Sequence, residues 1–386
     1  MNRREFILTT GAATIAVTLP SVAGAQQAGG RYDNLLILVE LKGGNDGLNT
    51  VVPYADADYY GVRPRIAVAR DQVLQLDART GLHPSLQPLL ALWQARELAV
   101  VQGVGYPQAN LSHFRSIEIW DTASKSNEYL GDGWLARAFA AAPVPKSFAA
   151  DGVIVGGNEM GPFAGTGTRA IVLANPDQFL KQARLAAPAG ASRNPALAHI
   201  LKVETDIVQA ASGLSAGYAF HTEFPQGAFG NAVRAAMQVV ASRAPVAAIR
   251  VTLNGFDTHA NQLATQQRLL KDLAEGVAAM KGALVELERW NSTLLMTYAE
   301  FGRRPRENQS NGTDHGTANV HFVAGGRVKG GLYGAPPALN RLDGNGNLPF
   351  AVDFRDLYAT VLERWWSVSS QAALNGRYAP LDIVRA

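Results

Sequence analysis

Residues Ser292–Gly331 read STLLMTYAEFGRRPRENQSNGTDHGTANVHFVAGGRVKGG. The stretch opens on an apolar run, Thr293–Tyr298, with the character of a strand buried on both faces. It empties into a polar loop that carries Glu300, Arg303, Arg304, Arg306, Asp314, His315 and His321. A second apolar run, Phe322–Ala324, leaves through Gly325 and Gly326. Carboxylates and imidazoles gathered just after a buried strand suit a divalent-metal site. Open α/β sheets place their sites there, at the carboxyl ends of strands.

The same pattern recurs along the chain. Asn34–Leu41 is a continuous apolar run ended by Gly43 and Gly44, and Asn45-Asp46-Gly47 makes the turn after it. Leu98–Gly103 reads as a second strand, and a loop then leads to a helix over His113–Ala123 with Ser112 in the cap position. Phe148–Val155 and Ala170–Ala174 read as strands, as does Val246–Leu253, which ends in Asn254-Gly-Phe-Asp-Thr-His259. Helices are expected at His83–Glu97, Gly227–Ser242, Ala260–Trp290 and Asp353–Trp366, with others starting near Trp134, Asn175 and Asn194. In the longest, Leu270, Leu273, Val277, Met280, Leu284 and Leu287 form one apolar stripe suited to covering a sheet. Strand and helix alternate from Asn34 to Ala324. This predicts a doubly wound, mostly parallel α/β sheet sandwiched by helices, in one large domain over residues 26–386. The Gly/Pro-rich stretches Asn127–Arg169 and Pro336–Pro349 read as insertions or loops over the sheet edge.

The chain has 386 residues, 47% hydrophobic and 17% charged, an ordinary globular composition with ample length for a large core. Its formal net charge of +3 gives no support for nucleic acid or an anionic membrane as partner. There is no cysteine, which excludes disulfides, thiolate metal sites, iron–sulfur clusters, cysteine nucleophiles and a cysteine-derived formylglycine. Asn2–Leu8 (NRREFIL) resembles a twin-arginine export signal. A mildly apolar run, Thr9–Leu19, follows, then Pro20 and the cleavage-type Ala23-Gly24-Ala25. The run is too short to span a bilayer. Residues 1–25 are therefore expected to be removed, leaving a periplasmic or secreted protein with no membrane span, carried by the twin-arginine export machinery. That route carries folded chains and suits a protein that acquires its metal before export.

Four polar clusters each follow a predicted strand: Asp46, Ser112-His113, Asp257-Thr258-His259, and Glu300 with Asp314-His315. In a parallel sheet all four land on one rim. Each also has a plain structural explanation. Asp46 suits a turn. Ser112 suits an N-cap, a position that also offers free amides to an oxyanion. Asp257 and His259 point to one side of a strand end, or else cap the long helix. The Asp314-His315 pair has the least structural need of the four. Arg303, Arg304 and Arg306 form either a solvated cluster or a bidentate oxyanion clamp. Two other motifs fail on context. Gly213-Leu-Ser215-Ala-Gly217 lacks the strand a nucleophile elbow requires. Asp343-Gly-Asn345-Gly-Asn347 lacks the glycine and the glutamate that complete a calcium loop.

The motifs Leu41–Asn49 (LKGGNDGLN), Leu111–Phe114 (LSHF), Gly255–His259 (GFDTH), Ala299–Arg303 (AEFGR) and Gly312–Gly316 (GTDHG) stand in this order behind the leader. Together they resemble the secreted bacterial domain-of-unknown-function 1501 family, grouped with the alkaline phosphatase and sulfatase-like superfamily. The resemblance implies two divalent metal ions, zinc, magnesium or manganese, flanking a serine nucleophile that attacks phosphate or sulfate esters. By position it makes Ser112 the nucleophile with His113 beside it, and Asp46, Asp257, His259, Asp314 and His315 metal ligands. Two departures from the superfamily pattern leave alternatives open. The usual Asp-x-x-x-His spacing is replaced by Asp257-Thr-His259, and Glu300 stands where an Asp-His pair usually follows its strand. Either Glu300 is a ligand or the pair reaches back across the loop, with His321 as a last imidazole. The expected activity is hydrolysis of small or polymeric oxyanion esters, with Arg303 clamping the oxyanion. The alternative is a non-catalytic secreted binding or assembly module that keeps a structural metal or ligand pocket. A serine esterase built on Ser215 ranks below both.

Overall fold

β1, Leu35–Lys42, is buried on both faces from Leu35 to Leu41, as its unbroken apolar run demands. It lies between β8, Val246–Asn254, and β9, Thr293–Tyr298, parallel to both, with Leu38 opposite Arg250 on one side and Met296 on the other. The computed structural model describes residues 31–173, 217–242 and 245–385. The expected leader, the helices expected from Asn175 and Asn194, and Ser215 lie outside those residues.

The central sheet adds β5 (Leu98–Gly105), β6 (Ala150–Val155), β7 (Ala170–Leu173), β12 (Asn319–Ala324), β13 (Gly331–Gly334) and the short β14 (Val352–Asp353). Its order is β13-β5-β12-β9-β1-β8-β6-β7, with β14 pairing β5. Every pairing is parallel except those of β12, which runs antiparallel to both β5 and β9. The expected α/β sandwich is what the chain forms. The sheet is mixed because β12 returns directly from the loop that leaves β9. That return throws the intervening residues over the rim, as a hairpin of β10 (Arg303–Glu307) and β11 (Thr313–His315). A small three-stranded sheet of β2 (Val51–Val52), β3 (Leu74–Gln75) and β4 (Gly81–Leu82) lies between β1 and β5 in sequence.

Alternation along β1 divides the core. Leu35, Ile37, Val39 and Leu41 join one apolar cluster with the helices Ala228–Ala241 and Gln262–Glu286. Leu36 and Leu38 join the other, with His113–Thr122, Trp134–Ala141 and the C-terminal helix. Glu40 has the parity of Leu36 and Leu38, which puts a buried carboxylate beneath the helix that starts at His113.

Two helices differ from expectation for local reasons. His83–Glu97 is a 3-10 segment, Pro84–Leu89, followed by a short α-helix, Leu90–Gln94; Pro88 lacks the N–H that an α-helix interior needs. Asp353–Trp366 is an α-helical turn pair, Phe354–Ala359, that widens into a π segment, Thr360–Trp365. The carboxylate of Asp353 caps it by accepting from Arg355 N at 3.0 Å.

Candidate metal centre

The exits of β1, β5, β8 and β9 meet on one rim. Gly43, the first residue past β1, donates its N–H to Glu300 Oε1 at 2.9 Å. Its φ of 113° and the closeness of the Asp257 backbone leave no room for a side chain: a Cβ would stand 2.4 Å from Asp257 N. This contact draws the β1 and β8 exits together.

His113 is the first residue of its helix. Its Nδ1 is 2.8 Å from Glu300 Oε1, and its Nε2 is 3.4 Å from Asp257 Oδ1 with no hydrogen-bond partner. His315, at the end of β11, donates Nδ1–H to Leu111 O at 2.8 Å and places Nε2 3.2 Å from the same Asp257 Oδ1. Each ring is thus held at Nδ1 by an acceptor and presents Nε2 toward one carboxylate oxygen. A carboxylate or carbonyl behind each imidazole is the arrangement that fixes tautomer and orientation in metal sites. The three ligand atoms lie within 4.8 Å of one another, so they converge on one point. A tetrahedral ion with bonds of about 2.0–2.1 Å spaces its ligands roughly 3.3 Å apart, so the residues fit a single divalent cation.

His259 stands beside this triad. Its Nε2 is 3.0 Å from both Asp257 Oδ1 and His315 Nε2, and its Nδ1 is 3.5 Å from Asp314 Oδ1. Since His315 Nε2 carries a lone pair, His259 Nε2 supplies the proton in that contact. The phenyl ring of Phe301 backs the cluster, 4.5 Å from the His315 ring and 4.9 Å from that of His113. Burial opposes ionisation of Asp257, but the hydrogen bond and charge of Arg303 outweigh it and hold the carboxyl down at about 2. The hydrogen bond and charge of Glu300 raise His113 above an ordinary imidazole, whereas burial lowers His315.

The structure divides the expected ligands. The Asp314-His315 pair is split, because neighbouring residues of a strand face opposite ways: His315 joins Asp257 and His113, while Asp314 stands behind His259. Glu300 lies behind His113 as its orienting partner. Ser112 is exposed at the cap position directly before His113 and makes no side-chain capping bond.

Three expectations need correction. Asp46 is fully buried, and Arg63 Nη1 and Nη2 take both its oxygens at 2.6 and 3.0 Å. Gln262 Nε2 and Leu48 N also donate to it, so it is a structural anion outside the triad. Arg303 is buried too. Its guanidinium donates to the carbonyls of Gly43, Gly44, Phe256 and Thr313 and to Asp257 Oδ1, which leaves no fork for an oxyanion. It ties the β1 and β8 exits to the hairpin. His321 is in the interior beneath Trp120, with ring centroids 5.3 Å apart, and burial lowers it to about 3.

His321 and the capping His83, which burial lowers to about 4, make a pH prediction. Unfolded, both titrate near 6.5, so below that pH the unfolded chain binds more protons than the folded one. Stability therefore falls as pH drops from 6.5 toward 4, by up to about 1.4 kcal/mol per pH unit for each histidine. Denaturant midpoints across this range should show the slope, and His321→Gln should flatten it by close to one proton.

Sequence reasoning missed Arg63, Gln262 and Phe301. No local signal marks Arg63, whose partner lies 17 residues away. Glu300 acts through His113, whose Nδ1 it holds at 2.8 Å. Glu300→Gln is expected to weaken zinc binding roughly 10–100-fold, the usual cost of losing a histidine's carboxylate partner, with little change in the thermal midpoint of the metal-free protein. Competition against a chelating dye measures it.

Residues 33–376 match the family described as "Protein of unknown function (DUF1501)". The chain belongs to that family. No curated protein matches this DUF1501 chain. Among solved structures it is similar to the phosphonate monoester hydrolase SpPMH from Silicibacter pomeroyi, at 11% identity and a TM-score of 0.43, over 89% of this chain and 75% of that one. It is similar to a protein in the alkaline phosphatase superfamily from Vibrio parahaemolyticus, at 12% and 0.40, over 89% and 68%. It is also similar to the C-terminal periplasmic domain of EcEptC from Escherichia coli in complex with Zn, at 13% and 0.36, over 76% and 72%. No helix among the described residues is long and apolar enough to cross a membrane.

Proposed function

We propose that the chain is an exported, metal-dependent hydrolase of phosphate, sulfate or related oxyanion esters. One observation carries this reading: His113 and His315, brought from separate strand exits, both present Nε2 to Asp257 Oδ1 while their Nδ1 atoms are held from behind. His113, Asp257 and His315 would hold the ion. A divalent cation there supplies Lewis-acid stabilisation of charge developing on the ester oxygens. Ser112, exposed beside His113 at a helix N-terminus, carries the nucleophilic oxygen. Glu300 keeps the His113 proton on Nδ1. His259, whose Nε2 is 3.0 Å from both Asp257 Oδ1 and His315 Nε2, is a further imidazole within reach of the ion. The leader motif Asn2–Leu8 supports export by the twin-arginine route, with residues 26–386 as the mature domain.

The test is turnover of an aryl phosphate and an aryl sulfate by zinc-, magnesium- and manganese-loaded protein. Turnover lost in Ser112→Ala supports the reading, and loaded protein that leaves both esters intact defeats it. The commitment of every Arg303 nitrogen to a protein acceptor favours a second reading, a non-catalytic secreted module whose metal is structural. Under that reading, metal binding raises the thermal midpoint and Ser112→Ala changes no measurable property.

A further inference from the structure

Beside the triad opens a cavity of about 420 Å³, within the range of small-ligand sites. Five carboxylates line it, Glu40, Asp121, Glu159, Asp257 and Glu300, against two cations, Lys42 and Arg250, and the imidazole of His113. Both cations have partners, although Arg250 Nε is a buried donor without an acceptor. Lys42 Nζ is 2.9 Å from Glu159 Oε1, and Arg250 Nη2 donates to Glu159 O at 2.7 Å and lies 3.9 Å from Glu40 Oε2. Asp257 is held by Arg303. The remaining two acids each keep a buried acceptor without a donor, Asp121 Oδ1 and Glu300 Oε2, although Glu300 is only 2% exposed. An acceptor buried in this way costs free energy until a donor reaches it. These oxygens do not form a converging three-ligand cage of the kind found at His113, Asp257 and His315, so a bare metal ion is a poor occupant. Phe114, 90% exposed, stands on the same wall.

We propose that this cavity binds a primary ammonium group, so that the preferred esters carry a protonated amine a few bonds from the reacting oxyanion. The substrate class rests on the hydrolase reading above; the cavity's cation preference does not. An ammonium offers three N–H donors, enough for Asp121 Oδ1 and Glu300 Oε2 together. The Phe114 ring supplies a cation–π face at the mouth. Burial holds Asp121 well above the usual carboxylate range, and an ammonium alongside would restore its charge.

Calorimetry on metal-loaded protein, comparing 2-aminoethyl phosphate with ethyl phosphate at neutral pH, tests the proposal. The amine is expected to bind about tenfold tighter, equivalent to 1.4 kcal/mol. In Asp121→Asn, the isostere of the neutral acid, that ratio should collapse toward one. Equal affinities for the two esters in the wild type overturn the cation site and leave the hydrolase reading standing. An equal gain for choline phosphate, which has no N–H to donate, also overturns it. If neither ester binds, the oxyanion reading fails, and n-propylammonium alone decides the cavity. A thermal shift present in the wild type and absent in Asp121→Asn supports the assignment; no shift in the wild type overturns it.

Discussion

His315→Ala is expected to lower divalent-metal affinity by at least about 100-fold, because loss of an orienting partner alone costs roughly 10–100-fold and this change removes a ligand. His315 gives the triad its Nε2, and its Nδ1 bond to Leu111 O also pins the hairpin against the β5 exit. The fold should survive, since the ring is partly exposed and packs on Phe301 and His113 rather than in either main core cluster. Metal titration followed by a chelator chase measures the loss, and His113→Ala should match it. A wild-type affinity in either variant would place the ion elsewhere.

The second large effect falls on stability rather than on metal. Asp46→Ala is expected to cost about 3–5 kcal/mol, since it strands the Arg63 guanidinium in the interior without its anion. Both side chains are completely buried, and Arg63 reaches on to Asn49 Oδ1 at 2.7 Å and Pro305 O at 2.8 Å, joining the β1 exit to β10. Replacing the pair together by apolar residues of similar volume should restore most of the loss. The folded fraction of Asp46→Ala should still take up metal. Urea unfolding with a parallel metal titration separates this outcome from a ligand role, which would abolish uptake without the stability loss.

The sheet was legible because its strands are buried on both faces and therefore unbroken in sequence, as Leu35–Leu41 and Thr293–Tyr298 show. The rim followed from that, since parallel strands deliver their exits to one side. Partner choice on the rim was not legible. Asp46 and Asp257 are both acids one short turn past a strand, yet Asp46 meets Arg63 in the interior while Asp257, half exposed, meets histidines. Arg303 looked like a free cation in a run of arginines. It is buried because the carbonyls of Gly43 and Gly44, turned inward by a tight glycine turn, need donors that only a distant side chain supplies. The split of Asp314 from His315 depended on β11 being a strand, and three residues in a polar loop give no periodicity to read. Pro88 was a visible signal that the helix from His83 is not α-helical throughout.

A crystal of the protein soaked with zinc, measured at the zinc absorption edge, tests the central claim most directly. The arrangement of His113, Asp257 and His315 predicts an anomalous peak about 2.0–2.2 Å from His113 Nε2, Asp257 Oδ1 and His315 Nε2. A peak on Asp46 or His321, or none within bonding reach of the triad at full zinc loading, would contradict it.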